Sequence, residues 1–379
     1  MYSKLPYFIF ITFFFAIQNS FAVRSPKFEL KTQYEASCFP KCTCNQTTVE
    51  CKNLNEIKTD VFEHILPKIW PELDTVSITG NDLGDLPNEN LFGDRNRHLR
   101  LTLLDLSDND IRSFSAETFF GAPKVQYLYL RNNEITSVGS KPFDYMPLIR
   151  VIDLTAGFAE GVSGKKKGEI IGDMLESGHH FKHLQELILN ANGLIKLDSE
   201  MFCTLENLGR LILADNLFES LDLNVKCLPS LRHLDLRNNR FEIVPAFIYK
   251  GGLDLNAIDI SQNPLKCDCK MEEFIKFAND DSTIFLDQGK TICKVPTELA
   301  GKGIFEIDTE TTNLCQRGSR LLHWIILILI AGGCFYVYRH LRRAGKLPRM
   351  PTVFGYSQLK SNDEMNNNYN SSNNQPAFV

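Results

Sequence analysis

The sequence predicts an α/β solenoid, a horseshoe of stacked repeats with short parallel strands on its concave face. Three observations lead to this prediction. An eleven-residue pattern of alternating apolar residues recurs about eight times along the chain. Clusters of cysteines lie just before and just after these copies, where they would cap the two ends. An apolar run follows the second cluster and predicts one transmembrane helix.

The repeats follow the pattern L-x-x-L-x-L-x-x-N-x-L. The alternating apolar residues of each copy fit a short strand with one inward face, and the Asn is expected to hydrogen-bond backbone groups where the chain turns away. One copy cannot bury its apolar face alone, so the copies must stack over residues 73–265. In one of them Gly157 replaces the Asn. Clear copies begin at Leu101, Val125, Leu184, Leu208, Leu231 and Leu255, and degenerate ones at Leu73 and Ile149.

One repeat is longer than the others. The central leucines of most neighbouring copies are 23 or 24 residues apart, whereas Leu154 and Leu189 are 35 apart. The excess falls in residues 158–183, which predict a projecting loop with a helical turn in its apolar stretch. Such insertions are often functional. The lysines at 165–167 could dock an acidic partner, although a charge run is usually only solvated.

Both ends of the chain carry segments outside the solenoid. Residues 1–22 combine a lysine, a short apolar stretch and small residues at Ser20 and Ala22, which predicts a secretory signal peptide cleaved after Ala22. Residues 321–338 contain no Asp, Glu, Lys or Arg and are followed by a cluster of basic residues. They predict a membrane-spanning helix with residues 339–379 as a disordered, asparagine-rich cytoplasmic tail. The expected protein is a single-pass type I protein of the plasma membrane with an extracellular N-terminus.

Eight cysteines flank the repeats, four in the region 23–72 and four in the region 262–315. Their spacing resembles the N- and C-terminal flanking caps of extracellular leucine-rich-repeat proteins, and the resemblance covers about residues 38–315. The chain resembles short-tailed, single-pass members of that group without an immunoglobulin or Toll-type signalling domain. Spacing alone leaves three connectivities open for each cap. The resemblance implies the disulfides Cys38–Cys44, Cys42–Cys51, Cys267–Cys293 and Cys269–Cys315.

Two further cysteines occupy equivalent places in neighbouring repeats. Cys203 and Cys227 each follow the Asn position of their repeat by eleven residues. They can form a disulfide between the two repeats if their Cα atoms come within about 7 Å. Two buried thiols are the alternative.

The concave face is the predicted binding surface. The side chains that flank the inward leucines of each strand should point there, and they include aromatic, aliphatic and basic residues. Tyrosine and arginine are enriched in binding hot spots, and a large exposed apolar patch usually marks an interaction site. A solvated sheet with scattered apolar side chains is the alternative. The candidate partner-binding residues are Leu103, Tyr127, Tyr129, Arg131, Val151, Ile188, Arg210, Ile212, His233 and Arg237.

Short motifs predict modification and sorting. Asn45 begins an Asn-Gln-Thr sequon for N-glycosylation. In the tail, Tyr356 and Leu359 resemble the Tyr-x-x-hydrophobic sorting signal that clathrin adaptors read. The C-terminal residues 376–379 resemble a weak ligand of PDZ domains.

These features favour a binding protein over an enzyme. No nucleophile–base pair, carboxylate dyad or metal-ligand set has a recognisable spacing, so we expect no catalysis, no cofactor and no metal. The net charge of −5 argues against nucleic acid as the partner. We expect a cell-surface receptor, co-receptor or adhesion molecule that engages a protein ligand through the concave face. The alternative is an innate-immune pattern-recognition co-receptor that binds glycan or lipid.

Overall fold

The computed structural model describes residues 38–54, 59–176, 181–280, 283–312, 314–315 and 317–345. The predicted signal peptide and the tail motif at Tyr356 and Leu359 lie outside the described residues. The chain divides into two compact units, Met1–Leu314 and Cys315–Val379.

The first unit is a solenoid built on an 11-stranded sheet with the order β1-β2-β3-β4-β6-β8-β9-β10-β11-β12-β14. All neighbouring strands are parallel except β1 and β2. Two small sheets pair β5 with β7 and β13 with β15. The strands are β1 Cys42–Cys44, β2 Thr48–Lys52, β3 Thr75–Thr79, β4 Leu103–Asp105, β5 Ser113–Phe114, β6 Tyr127–Tyr129, β7 Ser137–Val138, β8 Val151–Asp153, β9 Glu186–Ile188, β10 Arg210–Ile212, β11 His233–Asp235, β12 Ala257–Asp259, β13 Leu265–Lys266, β14 Ile284–Phe285 and β15 Cys293–Val295.

Short helices complete the repeats and the ends. Among the described residues of this unit, the α-helices are α1 Asp60–Glu63, α2 Gly164–Leu175 and α3 Glu272–Ala278. Short 3₁₀ helices span Glu117–Phe119, Val225–Cys227, Ala246–Ile248, Cys269–Met271, Gln288–Lys290 and Ile304–Glu306.

In the three-residue strands of the large sheet from β4 to β12, the middle residue points into the core, as the repeat pattern predicts. From β4 to β12 these residues are at most 1% exposed. Because alternate residues of a strand point to opposite faces, the residues on either side must face the concave surface. The buried middle residues are Leu104, Leu128, Ile152, Leu187, Leu211, Leu234 and Ile258.

A ladder of buried asparagines joins successive repeats. Asn216 is typical: its Oδ1 accepts hydrogen bonds from the backbone amides of Asn192 (3.1 Å) and Leu194 (3.0 Å) in the preceding repeat. Its Nδ2 donates to three backbone carbonyls, those of residues 189, 213 and 214, at 3.0–3.1 Å. Each side chain therefore satisfies polar backbone groups that water cannot reach. The other members are Asn81, Asn109, Asn133, Asn192, Asn239 and Asn263.

The backbone replaces the missing ladder side chain at Gly157. The amide of Asn133 donates to the carbonyl of Ala156 (3.2 Å), and that of Ile135 to the carbonyl of Gly157 (3.0 Å). In the repeat before, the matching amides donate to the Oδ1 of Asn133 instead. A Cβ on Gly157 would lie 2.9 Å from the carbonyl oxygen of Leu154. The backbone here therefore runs too close to its neighbour for a side chain.

The insertion does not project from the solenoid, contrary to the sequence prediction. It contains α2, a 12-residue helix whose residues Ile170, Ile171, Met174 and Leu175 are buried. The Oγ of Ser163 caps the helix by accepting a hydrogen bond from the amide of residue 166. Residues 177–180, which include two of the three histidines of the insertion, lie outside the described residues.

Two glycines allow α2 to pack directly on the backbone of the next repeat. A Cβ on Gly164 would overlap the carbonyl oxygen of Gly193, and a Cβ on Gly168 would overlap that of Lys196. These glycines are one helical turn apart and lie on the same face of the helix. The absence of side chains at these two positions allows the helix to approach the backbone of the next repeat closely.

The three lysines of α2 have different environments. Lys167 is only 7% exposed, and its Nζ donates to the carbonyl of Asn192 at 3.0 Å. Burial lowers the pKa of Lys167, and the nearby carboxylate of Glu160 opposes this shift. Lys165 and Lys166 are exposed and form ion pairs with Glu169. Of the three lysines, one therefore anchors α2 to the next repeat through a buried hydrogen bond, and two carry exposed charges.

Disulfides close the ends of the solenoid. Cys38 is bonded to Cys44, Cys42 to Cys51 and Cys267 to Cys293, which are the pairs that the resemblance implied. Cys269 and Cys315 are disulfide-bonded as well. The sequence left two states open for Cys203 and Cys227, and in the structure they form a disulfide between adjacent repeats.

Removal of the Cys203–Cys227 disulfide is expected to lower the stability of the solenoid by about 2–4 kcal/mol. The bond joins residues 24 apart in sequence and therefore restricts the unfolded chain. Thermal unfolding of the Cys203→Ser/Cys227→Ser variant measures the effect. The control is Cys334→Ser, which removes the exposed free cysteine. Equal unfolding midpoints for the wild type and the double variant would contradict the prediction.

A buried histidine lies near the N-terminal end of the solenoid. His98 is 2% exposed, its Nε2 lies 2.8 Å from the carbonyl oxygen of Ile65, and its ring meets the Phe92 ring edge-on. Burial lowers the pKa of His98, and the hydrogen bond to Ile65 opposes this shift. Protonation of His98 therefore lowers the free energy of unfolding.

Acidification is expected to destabilise the solenoid through His98. The folded-state pKa lies below the unfolded value of about 6.5, so neutral His98 contributes its full stability above that pH and loses it as the pH falls through the folded-state pKa. Unfolding midpoints at about pH 7.5 and pH 5 should differ less in His98→Gln than in the wild type. His64→Gln, at an exposed histidine, is the control. The same acid-induced loss in His98→Gln and the wild type would rule out this role.

The second unit contains one long helix, α4, over Arg317–Arg343. Its segment His323–Arg343 contains an 18-residue window with a mean hydropathy of 1.6, and none of that window is buried, so by length and composition the segment can cross a membrane. The helix ends with His340, Arg342 and Arg343 in its last turn. Most of the predicted span, residues 321–338, overlaps this segment.

Candidate functional site: the concave face

The strand register arranges the predicted binding residues in two columns on the concave face. Eight of the ten lie on strands β4 to β11, and Arg131 and Arg237 follow β6 and β11 by two residues. The first column contains Leu103, Tyr127, Val151, Glu186, Arg210 and His233, and the second contains Asp105, Tyr129, Asp153, Ile188, Ile212 and Asp235.

A linked cluster of three side chains lies in the middle of this face. The guanidinium carbon of Arg131 is 4.6 Å from the centre of the Tyr129 ring, and its Nε donates to Oδ2 of Asp153 at 2.7 Å. The other carboxylate oxygen of Asp153 accepts hydrogen bonds from the amide and the hydroxyl of Thr155. The cluster is therefore held in place before any partner arrives, which lowers the entropic cost of binding.

The environment of Tyr129 disfavours its ionised form. Burial raises the pKa of Tyr129, and the positive charge of Arg131 opposes this shift. The phenol thus remains protonated at neutral pH, so its hydroxyl can donate a hydrogen bond to a partner.

The aspartates of the second column stabilise the fold. In each case Oδ1 accepts a hydrogen bond from the backbone amide two residues later, at 2.9–3.0 Å. Burial raises the pKa of Asp235, and its hydrogen bond and ion pair with Arg237 oppose the shift. These carboxylates therefore bind their own backbone rather than project toward a ligand. The residues are Asp105, Asp153 and Asp235, together with Asp259, which pairs in register with Asp235 on β12 and extends the column.

A polar region adjoins the aromatic one in the first column. Arg210 donates from Nη1 to Oε1 of Glu186 at 3.1 Å. Burial and the charge of Arg210 lower the pKa of His233, and Asp259 opposes the shift. A surface hollow beside these residues is lined by Asn207 and by Gly209, the residue before β10. Because glycine has no side chain, it leaves this hollow open.

Ile212 does not offer the exposed surface that the sequence predicts. It occupies the expected place in the second column but is only 6% exposed. Its register neighbours, Ile188 on one side and Asp235 on the other, flank it closely. The hydrophobic contribution to the concave surface therefore comes from the other apolar and aromatic candidates.

The sequon at Asn45 is accessible in the structure. Asn45 is exposed, and its Oδ1 accepts hydrogen bonds from the amide and hydroxyl of Thr47 and from the amide of Thr48. Glycosylation there remains a prediction.

One group resembles a metal site only by distance. The ligand atoms of Glu200, Cys203 and Cys227 lie within 4.8 Å of one another. Both sulfur atoms belong to the disulfide, so they are not thiolates and the group is unsuited to bind a metal.

Comparison with known proteins agrees with this architecture. The Leucine rich repeat family model matches residues 99–156 and 182–241, which are the blocks on either side of α2. The chain carries leucine-rich repeats and folds as a leucine-rich-repeat solenoid with disulfides at its ends.

Individual proteins show how far the likeness extends. The chain is similar to the CD180 antigen of Mus musculus, with 23% identity over 331 residues that cover 82% of this chain and 48% of the relative. The chain thus spans about half the length of that protein. The crystal structure of human 5T4, trophoblast glycoprotein, has a TM-score of 0.61 at 22% identity and covers 72% of this chain and 98% of its own. The mouse RP105/MD-1 complex gives 0.50 at 20% identity, with 69% and 45% covered. Identities this low establish the fold alone.

Proposed function

We propose that this chain is a single-pass type I protein of the plasma membrane that binds a protein ligand through its concave face. It would act as a receptor, co-receptor or adhesion molecule. The cluster of Tyr129, Arg131 and Asp153 is the observation that carries the proposal, because it combines an aromatic ring, an exposed guanidinium and a fixed geometry. Such residues dominate the binding energy of protein interfaces.

The surroundings of the cluster support this proposal. Leu103, Tyr127, Val151 and Ile188 are half-buried, so each shows part of an apolar or aromatic side chain to solvent. Together with the cluster they form a continuous surface across β4 to β9, on a rigid sheet. RP105, which has a similar fold, was crystallised in complex with another protein, MD-1. This supports the proposal of a protein ligand for the present chain.

The sequence and α4 support the proposed membrane topology. Residues 1–22 would direct secretion, residues 23–315 would form the extracellular part, and residues 321–338 would cross the membrane. The basic residues after the span favour a cytoplasmic tail. Tyr356 and Leu359 would then be accessible to a clathrin adaptor, and Asn45 to glycosylation.

A binding screen tests the proposed function. Cells that display the full chain would be stained with a panel of soluble, tagged cell-surface ectodomains, including its own. Each hit would be repeated with Tyr129→Ala and with Ile188→Asp. Hot-spot truncations cost about 2 kcal/mol or more, so at least a tenfold loss of affinity is expected. Tyr145→Ala removes an exposed tyrosine outside the two columns and should have no effect.

Two results would contradict the proposal. A protein hit that survives both concave variants would place the binding site elsewhere on the chain. Capture of glycans or lipids without any protein hit would favour the pattern-recognition alternative.

A further inference from the structure

Three arginine–carboxylate pairs on the concave face have the same orientation. In the pairs Arg131–Asp153, Arg210–Glu186 and Arg237–Asp235 the side chains of the arginines are 46%, 52% and 44% exposed. Those of their acidic partners are 6%, 21% and 9% exposed. Each guanidinium therefore points to solvent while its counter-charge lies beneath it.

The buried carboxylates are already engaged by the fold. Asp153 accepts hydrogen bonds from Thr155, and Asp235 accepts one from the amide of Arg237. An approaching partner thus meets the positive end of each pair first. A guanidinium has five N–H donors, and most of them remain for a second, bidentate contact with a carboxylate.

The three arginines are distributed along the concave face. Arg131 follows β6, Arg210 begins β10 and Arg237 follows β11. The concave face thus exposes guanidinium groups between β6 and β11, although the whole chain has a net charge of −5. The charge that reaches solvent at these pairs is positive because the carboxylates lie deeper, not because arginines outnumber them.

We infer that the concave face selects a protein partner whose contact surface carries carboxylates beside an apolar side chain. This inference rests on the proposed function and specifies the chemistry of the ligand. The carboxylates would bind Arg131, Arg210 and Arg237, and the apolar group would pack on the column residues Tyr127 and Val151. A polyanionic glycan fits less well, because it has no apolar group for those residues and the buried counter-charges weaken the attraction for a uniform polyanion.

A peptide-display selection tests this inference without a known ligand. A random peptide library on phage would be selected on cells that display the full chain, after depletion on cells that lack it. Bound peptides should be enriched in Asp or Glu together with an apolar or aromatic residue. The triple variant Arg131→Gln, Arg210→Gln and Arg237→Gln should bind them at least tenfold less well, since each lost contact involves a charged hydrogen bond. The control variant Lys165→Gln, Lys166→Gln and Lys226→Gln should bind them normally.

A second variant separates binding from folding. Arg131→Gln combined with Asp153→Asn removes both charges of one pair and so leaves no unpaired buried carboxylate. It should reach the cell surface at the wild-type level and still lose affinity for the acidic peptides.

The outcomes distinguish this inference from the proposed function. The selected peptides could instead be neutral or basic and fail to bind Tyr129→Ala. That result would overturn the inference but leave the concave face as a protein-binding site. Peptides that bind the arginine variants as well as the wild type would overturn the inference, and no enrichment at all would count against both statements. Binding of heparin, lost in the triple variant and without peptide enrichment, would replace the acidic protein by a sulfated glycan.

Discussion

Asn216→Ala is expected to lower the free energy of unfolding by about 3–5 kcal/mol, an exceptionally large loss for a single substitution. The side chain is 3% exposed and makes five hydrogen bonds to the backbone of two repeats. Alanine would leave two amides and three carbonyls without this partner in a site that water cannot easily enter. Each buried polar group left without a partner costs about 1–3 kcal/mol, and local relaxation recovers part of the total.

Urea denaturation of the purified chain measures this effect. The control is Asn207→Ala, at an exposed asparagine with a single hydrogen bond, to the carbonyl of Lys182. We expect that control to change the stability by about 1 kcal/mol or less. Similar denaturation midpoints for the two variants would show that the asparagine ladder does not hold the repeats together.

Gly168→Ala is expected to destabilise the solenoid by about 1–3 kcal/mol, even though alanine is the better helix former. The new methyl group would overlap the carbonyl oxygen of Lys196, so α2 would have to move away from the repeat that it covers. This movement would also weaken the hydrogen bond from Lys167 to Asn192 and expose the apolar face of the helix.

Gly172→Ala is the matched control in the same helix. The nearest atom to its added Cβ would be Cε of Met201 at 3.9 Å, which is an ordinary contact. Helix propensity should therefore stabilise this variant by about 0.5–1 kcal/mol. Opposite signs for the two glycine variants are expected in the same denaturation experiment. Stabilisation by both would mean that α2 does not pack on the backbone.

The repeat framework was predictable because its physics is local and periodic. Each strand needs one inward leucine with outward neighbours, and each turn needs an asparagine, so both recur at the repeat spacing. The same register places Tyr127 beside Leu103 and Tyr129 beside Asp105. Counting from the leucines was therefore enough to assign the two concave columns.

The features that sequence reasoning missed depend on distant parts of the chain. The lysine-rich start of α2 resembles a solvated loop, and its packing is evident only because Gly193 and Lys196 lie beside it. The glycines at 164 and 168 were the available signal, since their spacing suits close helix packing. Likewise, Arg131 meets Asp153 only across neighbouring repeats, so the orientation of that pair could not be read from either residue alone.

A glycan placed on the concave face tests the central claim most directly. The variant Glu186→Asn with Ile188→Thr creates a sequon on β9, and Glu186→Gln with Ile188→Thr is its counterpart without a sequon. Lys226→Thr creates a sequon at Asn224, outside the concave columns. The measurement is the binding of captured ectodomains to cells that display each variant, with glycan attachment verified by glycosidase treatment.

We predict that the glycan at residue 186 abolishes binding beyond any loss caused by the counterpart variant, and that the glycan at Asn224 has no effect. Equal binding to the two glycosylated variants would contradict a concave binding site.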